Sequence, residues 1–297
     1  MGRNSPVAPD RQCWILVRRL LNFCSLGEKI ILLLHMIARY DNGMPSANSS
    51  APLLPPVLVM LPGLDGTGQL FRWFVAALPS SIKPVTVTFP PNACTYAEIQ
   101  AHAKSCLPLN QPFILLGESF SGPLALFLAQ ANPDNLLGIV LTASFAAQPL
   151  GWASRFTRSL VRPFVFRLPG QATALRLLLL GRAPPAELVT ATIDILKSLT
   201  PSVLAARVKA VLAVDASEAL VRCPVPILYL GGRQDRLLSP AIRRRIHSLR
   251  PDTEIITLDA PHFLLQRAPA EAAQVVARFL FRQLSSLESE GAEVQKS

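Results

Sequence analysis

Short, continuously apolar segments alternate with segments of helical length along most of the chain. Six apolar segments, rich in Val, Ile and Leu, lie at residues 57–61, 85–89, 113–117, 138–143, 227–231 and 254–258. The segments of helical length lie at 69–78, 96–107, 120–131, 240–249 and 270–284. Strands that are apolar on both faces and alternate with helices are typical of a parallel sheet covered on both sides. The pattern therefore predicts an α/β, doubly wound fold with a mainly parallel sheet of about six strands.

The alternation is interrupted between the fourth and fifth predicted strands. About eighty residues lie there, whereas one crossover between parallel strands needs about a dozen. Their pattern predicts helices at 172–180, 187–199 and 203–214. We therefore predict an α/β core at 57–145 and 223–285, an inserted helical cap at 146–222 and a disordered tail at 286–297.

The first 56 residues differ from the rest of the chain, and we interpret them as an apolar helical extension and a linker. The apolar stretch is interrupted by four charged residues, Arg18, Arg19, Glu28 and Lys29, so no run reaches the roughly 20 residues of a membrane-spanning helix. A small-residue cleavage site typical of signal peptides does not follow it. Residues 41–56 are rich in Pro, Ser and Asn and predict a linker. We expect a cytoplasmic protein in which residues 1–43 are dispensable.

Three side chains with catalytic chemistry each follow a predicted strand. Ser119 lies in the segment Gly-Glu-Ser-Phe-Ser-Gly at 117–122, between a strand and an apolar helix. A nucleophile elbow needs small residues two positions before and after the nucleophile, and Gly117 and Ser121 occupy them. Asp235 and His262 follow the next two strands. The order of serine, acid and histidine matches a catalytic triad on a parallel sheet.

Each of these residues also has a simpler interpretation. A serine at this place could be an ordinary helix N-cap, and Asp259 is a second candidate for the acid because it is nearer to His262 in sequence. The loop Pro-Gly-Leu-Asp-Gly-Thr-Gly at 62–68 follows the first strand and lacks the lysine of a phosphate-binding loop. We expect its Leu64 amide, together with the Phe120 amide, to form an oxyanion hole.

These motifs resemble those of α/β-hydrolase-fold serine esterases over residues 57–285, and bacterial carboxylesterases in particular. The loop at 62–68 also resembles the hydrolase-like part of plant phytyl ester synthases. Two departures from the family pattern stand out. Pro62-Gly63 replaces the usual His-Gly, and no antiparallel hairpin is predicted before the first parallel strand.

The resemblance implies a serine carboxylesterase that hydrolyses esters with short to medium acyl chains, with Ser119, His262 and Asp235 as its triad. It implies no cofactor and no metal, and a small-molecule ester as the partner. Two alternatives remain: an acyltransferase that delivers the acyl group to an alcohol, and an inactive binding protein of the same fold. The aromatic residues Phe145, Trp152 and Phe156 at the start of the cap are candidates for the substrate pocket.

The distribution of charge adds a prediction about the cap. The chain carries a formal net charge of +10 with only 16% charged residues. The cap contributes six arginines and no acid between residues 145 and 186, namely Arg155, Arg158, Arg162, Arg167, Arg176 and Arg182. No nucleic-acid-binding signature occurs, so we expect no nucleic-acid partner. We hypothesise peripheral contact between the cap and anionic lipid surfaces. The oligomeric state stays open.

Overall fold

The protein contains a six-stranded sheet in which every strand pair is parallel. The computed structural model describes residues 55–150, 153–167, 173 and 176–294. The strands are β1 (Val57–Leu61), β2 (Lys83–Thr86), β3 (Phe113–Glu118), β4 (Leu136–Thr142), β5 (Ile227–Gly232) and β6 (Glu254–Leu258). Their order is β2-β1-β3-β4-β5-β6. The predicted six-stranded parallel sheet is confirmed.

The chain order reverses beside β1, because β2 lies on one side of β1 and β3 on the other. In parallel sheets, such a switch point leaves a crevice at the carboxyl ends of the two strands, where ligands bind. The loop after β1 and the turn after β3 therefore both face this crevice.

The second strand begins two residues before the predicted segment 85–89. In the structure it pairs with β1 from Lys83 to Thr86, and this edge strand is largely exposed. Val87 and Phe89 are the buried residues of the segment. The apolar pattern therefore predicted which residues are buried, but the residues that pair with β1 lie slightly earlier in the chain.

Helices cover both faces of the sheet. In chain order, they are α1 (Arg72–Ala77), α2 (Tyr96–Ser105), α3 (Ser121–Gln130), α4 (Ser154–Leu160), α5 (Ala186–Ser198), α6 (Pro201–Val211), α7 (Ser217–Val221), α8 (Pro240–Leu249), α9 (Leu264–Arg267) and α10 (Pro269–Val294). Alternate residues of each central strand belong to two separate apolar clusters. In β1, Val57 and Val59 pack with α2, α3 and α8, whereas Leu58 and Met60 pack with α1 and α10.

The inserted segment between β4 and β5 is helical, as the pattern predicts. It contains α4, α5 and α6, a 3₁₀ segment at Pro163–Arg167 and a π-helical segment at Arg176–Leu180. Leu180, Leu188 and Ile195 of the insertion form a small apolar cluster with Leu70, which precedes α1. This cluster packs the insertion over the loop that follows β1.

Two predicted boundaries differ from the structure. The cap was expected to extend to 222, but Ala219 and Leu220 of α7 are buried in the main cluster against the sheet. The segment of α7 thus belongs to the core. The disordered tail was expected from 286, but α10 continues through Val294. The unfavourable step in helix formation is the first turn, and the part of α10 that packs on the sheet already provides it. Leucine and glutamate residues with good helix propensity can therefore extend the helix beyond the packed part.

Several expectations concern residues outside the described part of the chain. They are the extension and linker up to residue 54, most of the predicted helix at 172–180, Trp152, and residues 295–297. Within the described residues, no single helix is long and apolar enough to cross a membrane. One pair of helices, α5 and α6, passes that test together, but it is bent by 100°.

Candidate active site

Ser119 lies in a tight turn between β3 and α3. Its backbone has a φ of 49°, a left-handed conformation that is rare for residues other than glycine and marks local strain. The turn is close-packed, since a Cβ on Gly117 would lie 2.6 Å from the carbonyl oxygen of Ser121. The Ser119 amide donates to the carbonyl of Thr142 on β4, at 2.9 Å. These contacts hold the predicted nucleophile elbow and turn the Ser119 hydroxyl toward the crevice.

The structure brings the three predicted triad side chains into one hydrogen-bonded chain. The Nδ1 atom of His262 lies 2.8 Å from Oδ2 of Asp235, and its Nε2 atom lies 2.9 Å from Oγ of Ser119. A carboxylate only accepts, so Nδ1 carries the proton and Nε2 is left to accept the serine proton. The His262 side chain is 2% exposed and that of Asp235 is 6% exposed, so water hardly competes for these bonds.

The structure selects Asp235 over Asp259 as the partner of the histidine. The second carboxylate oxygen of Asp235 accepts from the Leu237 and Leu238 amides at 2.8 and 2.9 Å, which fixes its orientation. Asp259 is exposed and accepts from the side chain of Gln234 at 3.1 Å. The residue nearer in sequence thus points away from the imidazole.

The two predicted oxyanion donors lie beside Ser119. Leu64 and Phe120 both line the cavity at the crevice. Within the described residues, neither backbone amide donates to another group of the chain. The Tyr96 hydroxyl donates to the carbonyl of Phe120 at 2.8 Å, and the two rings stack with centroids 4.6 Å apart. Two free amides beside a nucleophile are the arrangement that stabilises a tetrahedral oxyanion.

Ser121, which replaces the usual second glycine of the elbow, forms a hydrogen bond that glycine could not form. Its side chain is fully buried, and its hydroxyl donates to the carbonyl of Pro62. It thereby connects the elbow to the loop that carries Leu64. The neighbouring Gly122 is the position where no side chain fits, because a Cβ there would lie 1.9 Å from Oγ of Ser144.

Glu118, directly before Ser119, is a buried acid that sequence reasoning missed. It is 5% exposed, and its carboxyl accepts from the side chain of Gln266 at 2.8 Å. Burial raises the pKa of Glu118 to about 7, and the nearby Asp65 adds to the rise, while hydrogen bonding from Gln266 and the nearby His262 oppose it. A glutamate within an otherwise apolar strand end is the signal that could have drawn attention to it.

The triad opens into an apolar cavity of about 350 Å³, within the range of small-ligand sites. Its walls come from both the core and the cap, and they include Phe145, a candidate for the substrate pocket. Phe156, another candidate, does not line the cavity, and its side chain is 68% exposed. The apolar periodicity of α4 did not reveal which face of the helix is turned outward. Phe166 is a further aromatic residue of the cap that lines the cavity. The other cap residues that line the cavity are Pro149, Leu150, Leu178, Leu179, Thr192, Ile195, Leu196, Val208, Val211 and Leu212.

The chain belongs to the alpha/beta hydrolase family, whose model matches residues 43–275. Over 178 residues it is 29% identical to the pimeloyl-(acyl-carrier protein) methyl ester esterase of Neisseria meningitidis serogroup C, a match that covers 56% of this chain and 68% of that protein. The esterase of the same name from serogroup A is 29% identical over 175 residues, which are 56% of this chain and 56% of that protein.

Solved structures show the same fold. An esterase from Exiguobacterium antarcticum has a TM-score of 0.67 and 14% identity and covers 76% of this chain and 91% of its own. A bromoperoxidase from Bacillus anthracis has a TM-score of 0.66 and 16% identity, with 76% and 91% coverage. These neighbours differ in named activity, so the likeness identifies the fold and leaves the reaction to the site.

Among the described residues, no group of three or more His, Cys, Asp or Glu side chains is arranged to hold a metal ion.

Proposed function

We propose that the protein is a serine carboxylesterase that hydrolyses carboxylic esters with short to medium acyl chains. The observation that carries the proposal is the hydrogen-bonded chain from Ser119 through His262 to Asp235, with distances of 2.9 and 2.8 Å, at the wall of an apolar cavity. The names of the curated relatives, which are methyl ester esterases, support the same reaction class.

The first half of the reaction forms an acyl-enzyme. Oγ of Ser119 attacks the ester carbonyl while Nε2 of His262 takes the serine proton, and Asp235 stabilises the imidazolium. The carbonyl oxygen becomes negative and accepts from the amides of Leu64 and Phe120. When the carbon–oxygen bond to the alcohol breaks, His262 gives its proton to the departing alkoxide. The alcohol leaves, and the acyl group stays on Ser119.

The second half repeats these roles with water. His262 takes a proton from the water as its oxygen attacks the acyl carbonyl, and the same two amides stabilise the negative oxygen. The bond to Oγ then breaks, and His262 returns the proton to Ser119. The carboxylic acid is released and the enzyme is regenerated.

The shape of the cavity supports an apolar acyl group as the bound part of the substrate. The core side of the lining contains Ser119 and His262 together with the acids Asp65 and Glu118. The rest is aliphatic or aromatic, with Thr192 as a rare polar side chain in the cap wall. Apolar surface of this kind binds by excluding water and gives little orientation. We therefore assign chain-length selectivity to the cap wall, and the orientation of the ester to the two amides.

The test is hydrolysis of p-nitrophenyl butyrate by the purified protein and by Ser119→Ala. We expect kcat/KM to fall by at least about 10⁴-fold, because the nucleophile is lost. Ser248→Ala is the matched control, since this exposed serine lies on α8, outside the triad, and its hydroxyl donates to the carbonyl of Arg245 at 2.9 Å. This variant should keep full activity. Unchanged thermal unfolding of Ser119→Ala would show that the fold is intact. Turnover that survives in Ser119→Ala refutes the proposal.

Two further readouts separate the alternatives. Product analysis with a medium-chain alcohol in the assay identifies an acyltransferase if the ester of that alcohol accumulates in preference to the free acid. Labelling with a fluorophosphonate, followed by mass spectrometry of the peptide that contains Ser119, distinguishes an active enzyme from an inactive binding protein. We expect the free acid as product and a labelled serine.

A further inference from the structure

Arg207 is a charged side chain that is buried between the cap and the loop after β1. It lies on α6, is 1% exposed and has the largest volume of the fully buried side chains in the described residues. Its Nε donates to the carbonyl of Ala93 at 3.0 Å, and its Nη2 donates to that of Pro90 at 3.3 Å. Its Nη1 donates to the carbonyls of Leu64 and Asp65 at 3.0 and 2.9 Å. One guanidinium thus binds four backbone carbonyls of two core loops.

No carboxylate neutralises this guanidinium directly. Within the described residues, Arg207 takes part in no ion pair. The carboxylate of Asp65, the nearby acid, accepts instead from the amide and hydroxyl of Thr67, at 2.8 and 2.5 Å. Burial lowers the pKa of Arg207, and the charge of Asp65 opposes the shift. Because a buried cation destabilises the fold unless it is well bonded, the four carbonyl bonds compensate for the burial of the charge.

The core loop is shaped to receive the guanidinium. Gly66 has a φ of +73°, and a Cβ on it would lie 2.6 Å from Nη1 of Arg207 and 2.8 Å from the ring of Phe89. The Gly66 carbonyl accepts from the Phe89 amide at 2.8 Å, and the guanidinium carbon lies 5.6 Å from the centroid of the Phe89 ring. Only a residue without a side chain allows this close approach.

Two of the four carbonyls that Arg207 holds, those of Leu64 and Asp65, belong to the loop that carries the Leu64 amide. On the core side, the hydroxyl of Ser121 binds the Pro62 carbonyl. On the cap side, Arg207 binds the carbonyls of Leu64 and Asp65. The peptide that contains the oxyanion donor is therefore held on both sides, once from the elbow and once from the cap.

We propose that Arg207 is a positioning residue that connects the cap to the oxyanion hole, so that the cap is needed for the chemical step as well as for substrate binding. This inference rests on the proposed esterase function, because it assumes that the Leu64 amide stabilises a developing oxyanion. Arg207 itself lies behind the loop and acts through the backbone. Its loss should weaken interactions made in the transition state more than those made with the bound ester.

The first experiment compares Arg207→Gln with Arg72→Gln in the full-length protein. Arg72 also connects the core to the cap, through an exposed bond to Glu187 at 2.8 Å, but it does not contact the loop. With p-nitrophenyl butyrate, we expect Arg207→Gln to lower kcat by about 10- to 100-fold and to change KM by less than about twofold. The loss in kcat should be smaller than the roughly 10²- to 10³-fold loss that follows removal of an oxyanion donor, because the Leu64 amide is displaced and not removed. Arg72→Gln should leave both constants unchanged. A higher KM with unchanged kcat would overturn the inference.

A pair of inhibitors tests the transition state directly. An alkyl trifluoromethyl ketone forms a tetrahedral adduct with serine whose oxygen occupies the oxyanion hole, whereas the alkyl methyl ketone of the same length binds as a neutral carbonyl. In Arg207→Gln, affinity for the trifluoromethyl ketone should fall by the same factor as kcat/KM, with affinity for the methyl ketone unchanged. Equal weakening of both ketones assigns Arg207 to cavity structure alone and overturns the inference.

Amide hydrogen exchange tests the role of Arg207 in the loop independently of the proposed esterase activity. We expect faster exchange in the peptide spanning 62–66 of Arg207→Gln than in the wild type, with no change in Arg72→Gln. If Arg207→Gln does not fold, the same measurements on Arg207→Lys decide, because lysine keeps the charge but cannot reach four carbonyls. If Ser119→Ala retains turnover, the function fails, while exchange still reports on the loop. Unchanged exchange and kcat in an active enzyme refute the role of Arg207 alone.

Discussion

Replacing Glu118 with glutamine should change how the stability of the protein depends on pH. Burial raises the pKa of Glu118 from 4.5 to about 7, so the folded protein binds this proton more tightly than the unfolded chain does. The proton stabilises the fold at low pH, and this contribution is lost as pH rises from about 4.5 through 7. At about 1.4 kcal/mol per pKa unit, the loss amounts to about 3 kcal/mol. Most of it should occur between pH 5 and 8.

The charges that face Glu118 do not alter the sign of this effect. Asp65 raises the pKa further, whereas His262 and the hydrogen bonds from Gln266 and the Gly63 backbone lower it, and burial outweighs them. In Glu118→Gln the side chain is neutral at every pH, so this titration is absent. The free energy of unfolding of the wild type minus that of the variant should therefore fall by about 2 to 3 kcal/mol from pH 5 to pH 8.

The assay is urea unfolding of both proteins at several pH values between 5 and 8, since titrating groups that do not interact with Glu118 cancel in the difference. Glu98→Gln provides a control whose difference from the wild type should stay constant across this range. Hydrogen bonds from the amides of Cys94 and Thr95 lower the pKa of Glu98 from 4.5, so its stabilising contribution is fully present between pH 5 and 8 and is lost only as the pH falls below about 4.5. A wild-type minus Glu118→Gln difference that stays constant across the range would refute the reasoning.

Two further predictions concern the site and the cap. Asp235→Asn should lower kcat by about 10³- to 10⁴-fold, because it changes the tautomer of the histidine, whereas Asp259→Asn should retain wild-type activity; equal losses in steady-state kinetics would contradict this assignment. Replacing the exposed Arg158, Arg162 and Arg167 together with glutamine should weaken cosedimentation with phosphatidylglycerol vesicles and leave phosphatidylcholine unaffected, because each basic residue adds about 1 kcal/mol near an anionic surface. Unchanged binding to both vesicles would remove lipid contact as the role of the cap charge.

The local motifs made much of the site predictable. A serine between Gly117 and Ser121 at a strand-to-helix turn implies a tight elbow, and the order of Ser119, Asp235 and His262 after parallel strands implies convergence at one edge of the sheet. Both inferences depend on short-range sterics and on the fixed direction of parallel strands. They need no knowledge of how the cap packs.

Contacts between residues far apart in sequence were not predictable in this way. Asp235 and Asp259 follow neighbouring strands, and only the folded loops orient one toward the imidazole and the other toward Gln234. Phe145 and Phe156 have the same apolar character, yet only Phe145 lines the cavity. Helical periodicity identifies a residue's face but does not reveal which neighbour covers that face.

The sequence alone therefore determined the strand and helix order, the parallel sheet and the choice of Ser119 and His262 as candidates for nucleophile and base, because these follow from periodicity and turn chemistry within short segments. Only the tertiary structure decided the environment of each group. It buried Glu118 beside Ser119, placed the hydroxyl of Ser121 on the Pro62 carbonyl, and brought Arg207 from 143 residues away to the carbonyl of Leu64. The physical reason is that burial and long-range hydrogen bonds depend on which surfaces meet, and that is settled only when the whole chain packs.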